Sequence, residues 1–349
     1  MELLYMQRCF DLARLGAGAV SPNPMVGAVL VYQHRIIGEG YHQAYGQAHA
    51  EVNAINNVKA ADRHLIKDAT LYVSLEPCCI YGRTPPCTSL ILKHKIPRVV
   101  ISVVDQTPEV SGQGLAILRA AGVEVQTNIL ADAGAELAQI RNTFAYQNRP
   151  FVLLKYAISQ DQKLAPIPSK QLWLSNAYSK RLTHRWRMEY DAILVGTNTA
   201  AIDNPALNNR LYYGRSPLRI VLDRYGSLSQ NLKIFDGQQK TLVFISPEQT
   251  KKQEIDQVEY IPIDFSKDFI PNLLEELASR NISSLQVEGG QKTIESFVNS
   301  GLWDEARVFQ TQKWIGNGLI APDLKQAVHQ HLKLDNDTLL IYKNAVQAK

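Results

Sequence analysis

The chain has 349 residues, of which 45% are hydrophobic and 20% charged, and its formal net charge is +4. This length predicts two domains, each with its own core. The weak charge, without long lysine or arginine runs, indicates neither a nucleic-acid partner nor a membrane partner. We also find no apolar stretch of bilayer length, and the N-terminus lacks the basic head and apolar core of a signal peptide.

Cysteines are few and unevenly placed. Of the four, Cys78, Cys79 and Cys87 lie within ten residues, and Cys9 lies apart in the N-terminal segment. Such clustering is typical of metal binding in a reducing compartment rather than of a disulfide framework. We therefore expect a cytoplasmic protein.

Strand and helix patterns alternate along the first part of the chain. An amphipathic helix opens it, with Leu3, Met6, Phe10 and Ala13 on one face. The following predicted elements are a hairpin of Val26–Tyr32 and Arg35–Gly38, a helix at His49–Val58, a strand at Thr70–Leu75, a helix at Cys87–His94, a strand at Arg98–Val104, a helix at Leu115–Ala121, a strand at Val123–Gln126, and a helix ending near Phe144. This alternation indicates an α/β layered domain.

A second α/β pattern follows the polar segment Gln147–Pro150, so we predict domains at residues 1–146 and 147–349. Its predicted strands are Phe151–Ile158, Ala192–Gly196, Leu218–Asp223, Thr241–Ser246, Leu285–Glu288 and Ala306–Gln310. Its predicted helices are Asn176–Glu189, Phe269–Arg280 and Lys292–Asn299.

Three short motifs predict a catalytic zinc site. His49-Ala50-Glu51 precedes Glu76-Pro77-Cys78 and Pro85-Pro86-Cys87. His49, Cys78 and Cys87 supply three ligands and leave the fourth tetrahedral position open for water, while Glu51 is placed to act as acid and base. Base deaminases carry this His-x-Glu and Pro-Cys pattern, although their two cysteines are closer in sequence. We expect Cys79 not to be a ligand, because adjacent residues seldom both reach one ion.

With these motifs placed, nearly the whole chain resembles the bifunctional deaminase–reductase family of riboflavin biosynthesis. The N-terminal half matches the family in Ser21–Gly27, Gly40–His42, His49–Glu51, Glu76–Cys78 and Gly82–Cys87. The C-terminal half matches it in Arg149–Val152, Lys155, Ser159, Asp161, Lys163, Asp191–Gly196, Asp203–Pro205, Val287–Gly290, Gly301–Leu302 and Asp304–Glu305. The resemblance implies a cytidine-deaminase-like three-layer α/β/α domain followed by a dihydrofolate-reductase-like α/β domain.

The family implies two consecutive reactions on a small phosphorylated pyrimidine. The first hydrolyses the 2-amino group from 2,5-diamino-6-ribosylamino-4(3H)-pyrimidinone 5′-phosphate, with one zinc ion activating water and Glu51 moving the protons. The second reduces the ribosyl group with NADPH and gives 5-amino-6-ribitylamino-uracil 5′-phosphate.

For the deaminase substrate, the resemblance implies contacts from Asn23, His42 and Arg83. Asn23 lies between two prolines and is also suited to a turn, and His42 alone could be a surface histidine. Both interpretations stay open from sequence.

For the reductase, no G-x-G-x-x-G pattern is present, but Gly289-Gly290 before a helix suits dinucleotide phosphates. The resemblance implies a cofactor site formed by Ala157, Trp173, Thr199, Asp203, Gly290, Gln291, Lys292, Thr293, Ile294, Glu295 and Ser296. It implies substrate contacts from Gln171, Arg187, Leu207, Arg210 and Glu288. The two arginines suit a phosphate but are equally compatible with solvated charges. The reductase proton donor is left open between Lys155, Asp203 and Glu288.

Three positions depart from the family pattern. Ile80 stands where members commonly carry histidine, Thr107 replaces an asparagine, and Gln162 replaces a glycine in the reductase loop. Because none of them is a zinc ligand, we expect altered kinetics rather than lost activity.

Two other interpretations compete. One is a zinc deaminase acting on a nucleic-acid base with a non-reductase C-terminal domain, which would favour a basic groove with stacking aromatics. The other is a structural zinc site in a scaffold protein. We expect no nucleic-acid or membrane partner, and homo-oligomers through the reductase domain.

Overall fold

The computed structural model describes residues 1–82, 85–107, 110–168, 170–249, 254–266 and 268–345. The chain divides into two compact units, Met1–Asn148 (unit 1) and Arg149–Lys349 (unit 2). This division lies two residues beyond the boundary predicted from the sequence. In the described ranges, no helix combines the length and the apolarity needed to span a bilayer.

Unit 1 is built on a five-stranded sheet with the order β2-β1-β3-β4-β5. Its described strands are β1 (Gly27–Tyr32), β2 (Arg35–Tyr41), β3 (Thr70–Leu75), β4 (Arg98–Val103) and β5 (Glu124–Gln126). Its described helices are α1 (Glu2–Arg14), α2 (Ala50–Asn56), α3 (Cys87–Lys93), α4 (Gln113–Ala120) and α5 (Ala131–Gln147), with a 3₁₀ helix at Ala60–Asp68. The predicted β1–β2 hairpin is confirmed, and its turn residues Gln33 and His34 have positive φ, as a type I′ hairpin turn requires.

Helices cover both faces of this sheet. Alternate residues of β1 point to opposite faces: Ala28 and Leu30 pack with α2, α3 and α4, whereas Val29 and Val31 pack with α1 and α5. The predicted three-layer α/β/α architecture is confirmed.

The prediction for α1 was wrong at Leu3, which is 57% exposed. The buried face of α1 runs through Met6, Cys9, Phe10 and Ala13. The buried set also includes Tyr5 and Leu12, and the centre of the whole set lies about 100° from Leu3 at 100° per residue. Leu3 is therefore at the margin of the buried face, and its side chain is exposed.

Unit 2 contains a nine-stranded sheet with the order β11-β10-β9-β8-β12-β6-β13-β16-β15 and a separate two-stranded sheet formed by β14 and β7. Its described strands are β6 (Phe151–Ile158), β7 (Lys163–Pro166), β8 (Ala192–Gly196), β9 (Leu218–Leu222), β10 (Thr241–Ile245), β11 (Val258–Pro262), β12 (Ser284–Val287), β13 (Glu305–Gln310), β14 (Gly318–Ile320), β15 (Gln330–Leu334) and β16 (Asp337–Lys343). Its described helices are α6 (Ala177–Glu189), α7 (Thr197–Asp203), α8 (Phe269–Ser279) and α9 (Gln291–Ser300).

The first seven strands in this spatial order, from β11 at the edge to β13, are mutually parallel. Strand β16 pairs antiparallel with β13, and β15 pairs antiparallel with β16. One face packs on α8 and α9, and α7 lies on the other. Parallel strands end at one edge, where open α/β sheets bind ligands. Here that edge carries Gly196 as the last residue of β8 and Glu288 directly after β12.

Several short elements of unit 2 were not predicted, namely β7, β11, β14, β15, β16 and α7. Strand β15 shows why, because four of its five residues are exposed. A strand without a buried face lacks the alternation from which strands are predicted.

Candidate active sites

The three predicted metal ligands meet at one end of the unit 1 sheet. His49 is the N-cap of α2, Cys78 follows β3, and Cys87 is the first residue of α3. His49 Nδ1 lies 3.5 Å from the sulfur of Cys78 and 3.4 Å from that of Cys87. Tetrahedral zinc with ordinary bond lengths places nitrogen and sulfur ligands roughly 3.5 Å apart. The donor set and its spacing therefore fit zinc, and Cys79 lies outside this group of donors.

The two thiols share a proton. Hydrogen bonds from Cys87 and His49 lower the pKa of Cys78 to about 4, whereas the Cys78 thiolate raises the pKa of Cys87. The backbone N–H of Cys87 also donates to the Cys78 sulfur at 3.4 Å. Cys78 is therefore ready to serve as a thiolate ligand.

Glu51 lies in the first turn of α2, two residues after His49, and is 3% exposed. Burial raises the pKa of its carboxyl group to about 6, which is the range suited to a group that both takes and gives protons near neutrality. Glu51, His49 and Cys78 line one cavity of about 320 Å³.

Asn23 and His42 line the same cavity and belong to one hydrogen-bond network. His42 Nδ1 lies 3.0 Å from the carbonyl oxygen of Ala48, and His42 Nε2 lies 3.1 Å from Asn23 Nδ2. Burial lowers the pKa of His42, so its ring is neutral. The network assigns the ring proton to Nδ1, which makes Nε2 the acceptor and turns the Asn23 amide nitrogen toward the ring. The side-chain carbonyl oxygen of Asn23 is then the atom that can accept a hydrogen bond from a ligand.

Glu76 has a role that the sequence analysis missed. It is 4% exposed, and its carboxylate accepts four backbone N–H groups, from Asp105, Gly112, Gly114 and Leu115, at 2.9 to 3.3 Å. These bonds anchor the segment that begins at Asp105 and leads into α4, and this segment lines the cavity with Asp105, Thr107 and Val110. Glu76 stands two residues before Cys78, and that proximity was the available signal. Arg83 lies outside the described residues.

In unit 2 the carboxylate of Glu288 is held by two side chains. Arg187 Nε donates to Oε1 at 2.8 Å and Nη2 donates to Oε2 at 2.7 Å, while Gln286 donates to Oε1 at 2.6 Å. Burial raises the pKa of Glu288, but the charges of Arg187 and Lys155 outweigh it and lower that pKa to about 2. Glu288 is therefore ionised at neutral pH.

Lys155 lies on β6 beside this pair, and its ammonium is 5.7 Å from the centroid of the Phe309 ring. Burial lowers the pKa of Lys155, and Arg187 adds to this effect while Glu288 opposes it. An ammonium with a lowered pKa gives up its proton more readily than an ordinary lysine does.

The loops at the carboxyl edge of unit 2 pack closely. Gly289 and Gly290 join β12 to α9 with φ of +135° and +71°. A Cβ on Gly290 would lie 3.0 Å from Thr199 Oγ1, and one on Gly196 would lie 2.4 Å from Thr293 Oγ1. Three glycines and two threonines thus meet at one place, where the N-terminus of α9 can present backbone N–H groups to phosphates. Gly290 and both threonines belong to the predicted cofactor site.

The other predicted reductase residues range from exposed to buried. Gln171 donates to the carbonyl oxygen of Asp203 at 3.3 Å, and Trp173 is 54% exposed. The side chains of Leu207 and Ile294 are buried in the apolar core, so any ligand contact would come from their backbone. Four further predicted residues lie in the first two turns of α9, namely Gln291, Lys292, Glu295 and Ser296. Ala157 is partly buried on β6, and Arg210 is exposed beside Asn208.

Comparisons with known proteins agree with both predicted domains. Residues 2–103 match the cytidine and deoxycytidylate deaminase zinc-binding region, and residues 150–345 match the RibD C-terminal domain. Riboflavin biosynthesis protein RibD of Aquifex aeolicus is 36% identical over 333 residues, spanning 95% of this chain and 92% of that protein. Its counterpart in Bacillus amyloliquefaciens is 38% identical over 330 residues, spanning 93% and 88%.

This chain belongs to the RibD family. A solved structure from Thermotoga maritima, a diaminohydroxyphosphoribosylaminopyrimidine deaminase/5-amino-6-(5-phosphoribosylamino)uracil reductase, superposes with a TM-score of 0.88 at 35% identity over 99% of both chains. Acinetobacter baumannii RibD gives 0.86 at 30% identity over 98% of both. The predicted fold class, the zinc-binding deaminase domain and the pairing of deaminase with reductase in riboflavin biosynthesis are confirmed.

The three departures from the RibD pattern lie at informative places. Ile80 and Thr107 both line the deaminase cavity. Gln162 has φ of +61° and is exposed. This left-handed conformation explains why a glycine suits that position in the family.

Proposed function

We propose that unit 1 hydrolyses the 2-amino group of 2,5-diamino-6-ribosylamino-4(3H)-pyrimidinone 5′-phosphate. Unit 2 then reduces the ribosyl group of the product with NADPH. The observation that carries this proposal is the donor set of His49, Cys78 and Cys87 in unit 1, two of whose members, His49 and Cys78, line one cavity with Glu51. The proposal for unit 2 is supported by the match of residues 150–345 to the RibD C-terminal domain.

In unit 1, bound zinc would supply a Lewis acid that activates water for attack on the pyrimidine. Glu51 takes one proton from that water and gives it to the ring nitrogen, and it then carries the remaining hydroxyl proton to the amine, which leaves as ammonia while the carbonyl forms. Asn23, oriented by neutral His42, offers a carbonyl oxygen to a donor on the pyrimidine. Arg83 is proposed to contact the phosphorylated substrate, as the family pattern implies.

In unit 2, the glycine-lined loop before α9 and the threonines beside it would hold NADPH, which supplies the hydride. The fit is supported by the space that a Cβ on Gly290 would fill against Thr199. The substrate phosphate suits Arg210, because it is exposed. Arg187 is engaged by Glu288 and by the carbonyl oxygen of Asn208, so it orients Glu288 toward the substrate.

Among the three candidate proton donors we favour Lys155. Glu288 is ionised at neutral pH and has no proton to give. Burial raises the pKa of Asp203, but no contact joins its carboxyl group to the charged cluster of Lys155, Arg187 and Glu288 within the described residues. Lys155 lies inside that cluster and has a lowered pKa.

The alternative of a nucleic-acid base deaminase with a non-reductase C-terminal domain is not favoured, because the C-terminal match is to a reductase family. A small-molecule substrate is consistent with the family. Homo-oligomers through the reductase domain and a cytoplasmic location stay predictions.

A two-stage assay with zinc-loaded protein tests the proposal. Ammonia release from the diaminopyrimidinone phosphate is measured first, and the loss of NADPH absorbance is measured after the cofactor is added. Ammonia followed by NADPH oxidation is the expected result. Folded, zinc-loaded protein that releases no ammonia would overturn the proposed substrate of unit 1. Ammonia without oxidation would overturn the proposal for unit 2.

A further inference from the structure

Arg141 occupies an unusual position on α5. The two buried residues of this helix are Gly134 and Ala138, and Arg141 follows Ala138 by three residues, which places it on the same face. Its side chain is partly buried. A helix face that packs on a sheet normally carries apolar residues, and a buried charge normally has a partner. Over the described ranges, no hydrogen bond or ion pair to Arg141 is found.

Arg141 lines the deaminase cavity together with Glu51. The other acidic residues of the described lining are already engaged: Glu76 accepts four backbone N–H groups, and Asp105 accepts the N–H of Thr107 at 2.7 Å. His42 is neutral and His49 belongs to the metal donor set. Within the part of the cavity wall that the structure describes, Arg141 is thus the cation available to an anionic ligand.

We infer that Arg141 binds the 5′-phosphate of the pyrimidine substrate in unit 1 and so selects phosphorylated substrates. This inference rests on the proposed function. A phosphate monoester carries close to two negative charges near neutral pH, and a guanidinium matches its oxygens in a bidentate way. Ile80, which replaces the family's histidine, lines the same cavity. Arg141 therefore supplies a polar contact in a cavity from which this chain has lost one.

The test compares the wild type with Arg141→Met, which keeps the length and helix preference of the side chain but removes its charge. Ammonia release is measured on the substrate and on its dephosphorylated form. A charge-assisted hydrogen bond is worth about a 10- to 100-fold change, so kcat/KM for the phosphorylated substrate should fall by that factor. The value for the dephosphorylated form should change less than about 3-fold.

Zinc content and reductase activity serve as controls for folding of the two units. Arg63→Met is the matched variant, because Arg63 is an exposed arginine of unit 1 outside the cavity lining, and it should leave both substrates unaffected. Combining Ile80→His with Arg141→Met should restore part of the lost kcat/KM. An equal loss on both substrates, or no loss on either, would overturn the inference.

Binding of ribose 5-phosphate, measured by calorimetry on the wild type and Arg141→Met, separates this inference from the proposed function. Weaker binding by the variant, in a protein that releases no ammonia, would support the phosphate site and reject the proposed reaction. Unchanged binding in a protein that does release ammonia would reject the phosphate site alone.

Discussion

The two sites of this chain balance their acidic groups in different ways. In unit 1, two thiols and the buried Glu51 converge beside His49, and a metal cation from solution would complete the donor set. In unit 2, the buried Glu288 is paired within the chain by Arg187. A substitution in the first site should therefore lower activity, whereas one in the second should lower both activity and folding stability.

The largest effect is expected for Glu51→Gln in unit 1. Losing the group that moves protons should lower ammonia release about 10²- to 10⁴-fold, while zinc content and NADPH oxidation of the deaminated intermediate stay unchanged. Parallel assays of the two reactions check this. A joint fall of both activities in folded protein would show that the sites are not independent.

Glu288→Gln should lower both the stability and the activity of unit 2. The substitution leaves the Arg187 guanidinium buried without its ionic partner, which costs about 3–5 kcal/mol of unfolding free energy, and NADPH oxidation should fall as well. Denaturant unfolding and both activity assays measure this, with exposed Glu275→Gln as the control. Lost oxidation at unchanged stability would mean that the pair does not support the fold.

The same pair predicts a pH dependence for unit 2. The pKa of Glu288 is lowered from 4.5 to about 2 in the folded chain, so its contribution is present above pH 4.5 and is lost as the pH falls toward 2. This contribution of Glu288 to the free energy of unfolding is on the order of 3 kcal/mol. Unfolding of wild type and Glu288→Gln at pH 6 and about pH 2.5 should show a gap that narrows in acid. A constant gap would contradict the assignment.

A smaller effect is expected for Glu76→Gln. An amide can accept from only one of its two ends, so about two of the four backbone N–H groups would lose their acceptor at a cost of about 1–3 kcal/mol. The unfolding free energy of unit 1 and kcat/KM for ammonia release should both fall, and NADPH oxidation should not. Glu136→Gln, on an exposed position of α5, is the control. Unchanged ammonia release would show that the anchored segment does not shape the cavity.

The smallest effect concerns the reductase loop. Gln162 has φ of +61°, and relieving that conformation outweighs the added chain entropy of glycine, so Gln162→Gly should stabilise unit 2 by up to about 1 kcal/mol. Gln160→Gly, two residues earlier without a positive φ, should destabilise it by about 0.5–1 kcal/mol. Thermal unfolding of both variants decides, and equal effects would contradict the explanation.

Prediction from sequence succeeded where chemistry or periodicity restricts the choice of residue. Zinc needs specific ligand types, so the His49 and Cys87 motifs were recognisable. Buried strands such as Thr70–Leu75 and Phe151–Ile158 were placed at their observed bounds, because short segments rich in apolar residues mark them. Apart from the Gly289-Gly290 pair before a helix, the reductase residues came from family resemblance.

What sequence could not provide is pairing across distance. Arg187 and Glu288 are separated by 101 positions, and nothing local identifies them as partners. Arg141 likewise reads as an ordinary helix charge until the fold places it on the cavity. The exposed strand β15 has no periodic signal, since the sheet forms it through backbone pairing with β16.

Zinc removal, followed by both assays on the same protein, most directly tests whether each unit holds its own complete site. After chelation, ammonia release should be lost and should return when zinc is restored, while NADPH oxidation of separately prepared deaminated intermediate continues at its original rate. Ammonia release that persists without zinc, or oxidation that is lost although unit 2 stays folded, would contradict the division of labour between the two units.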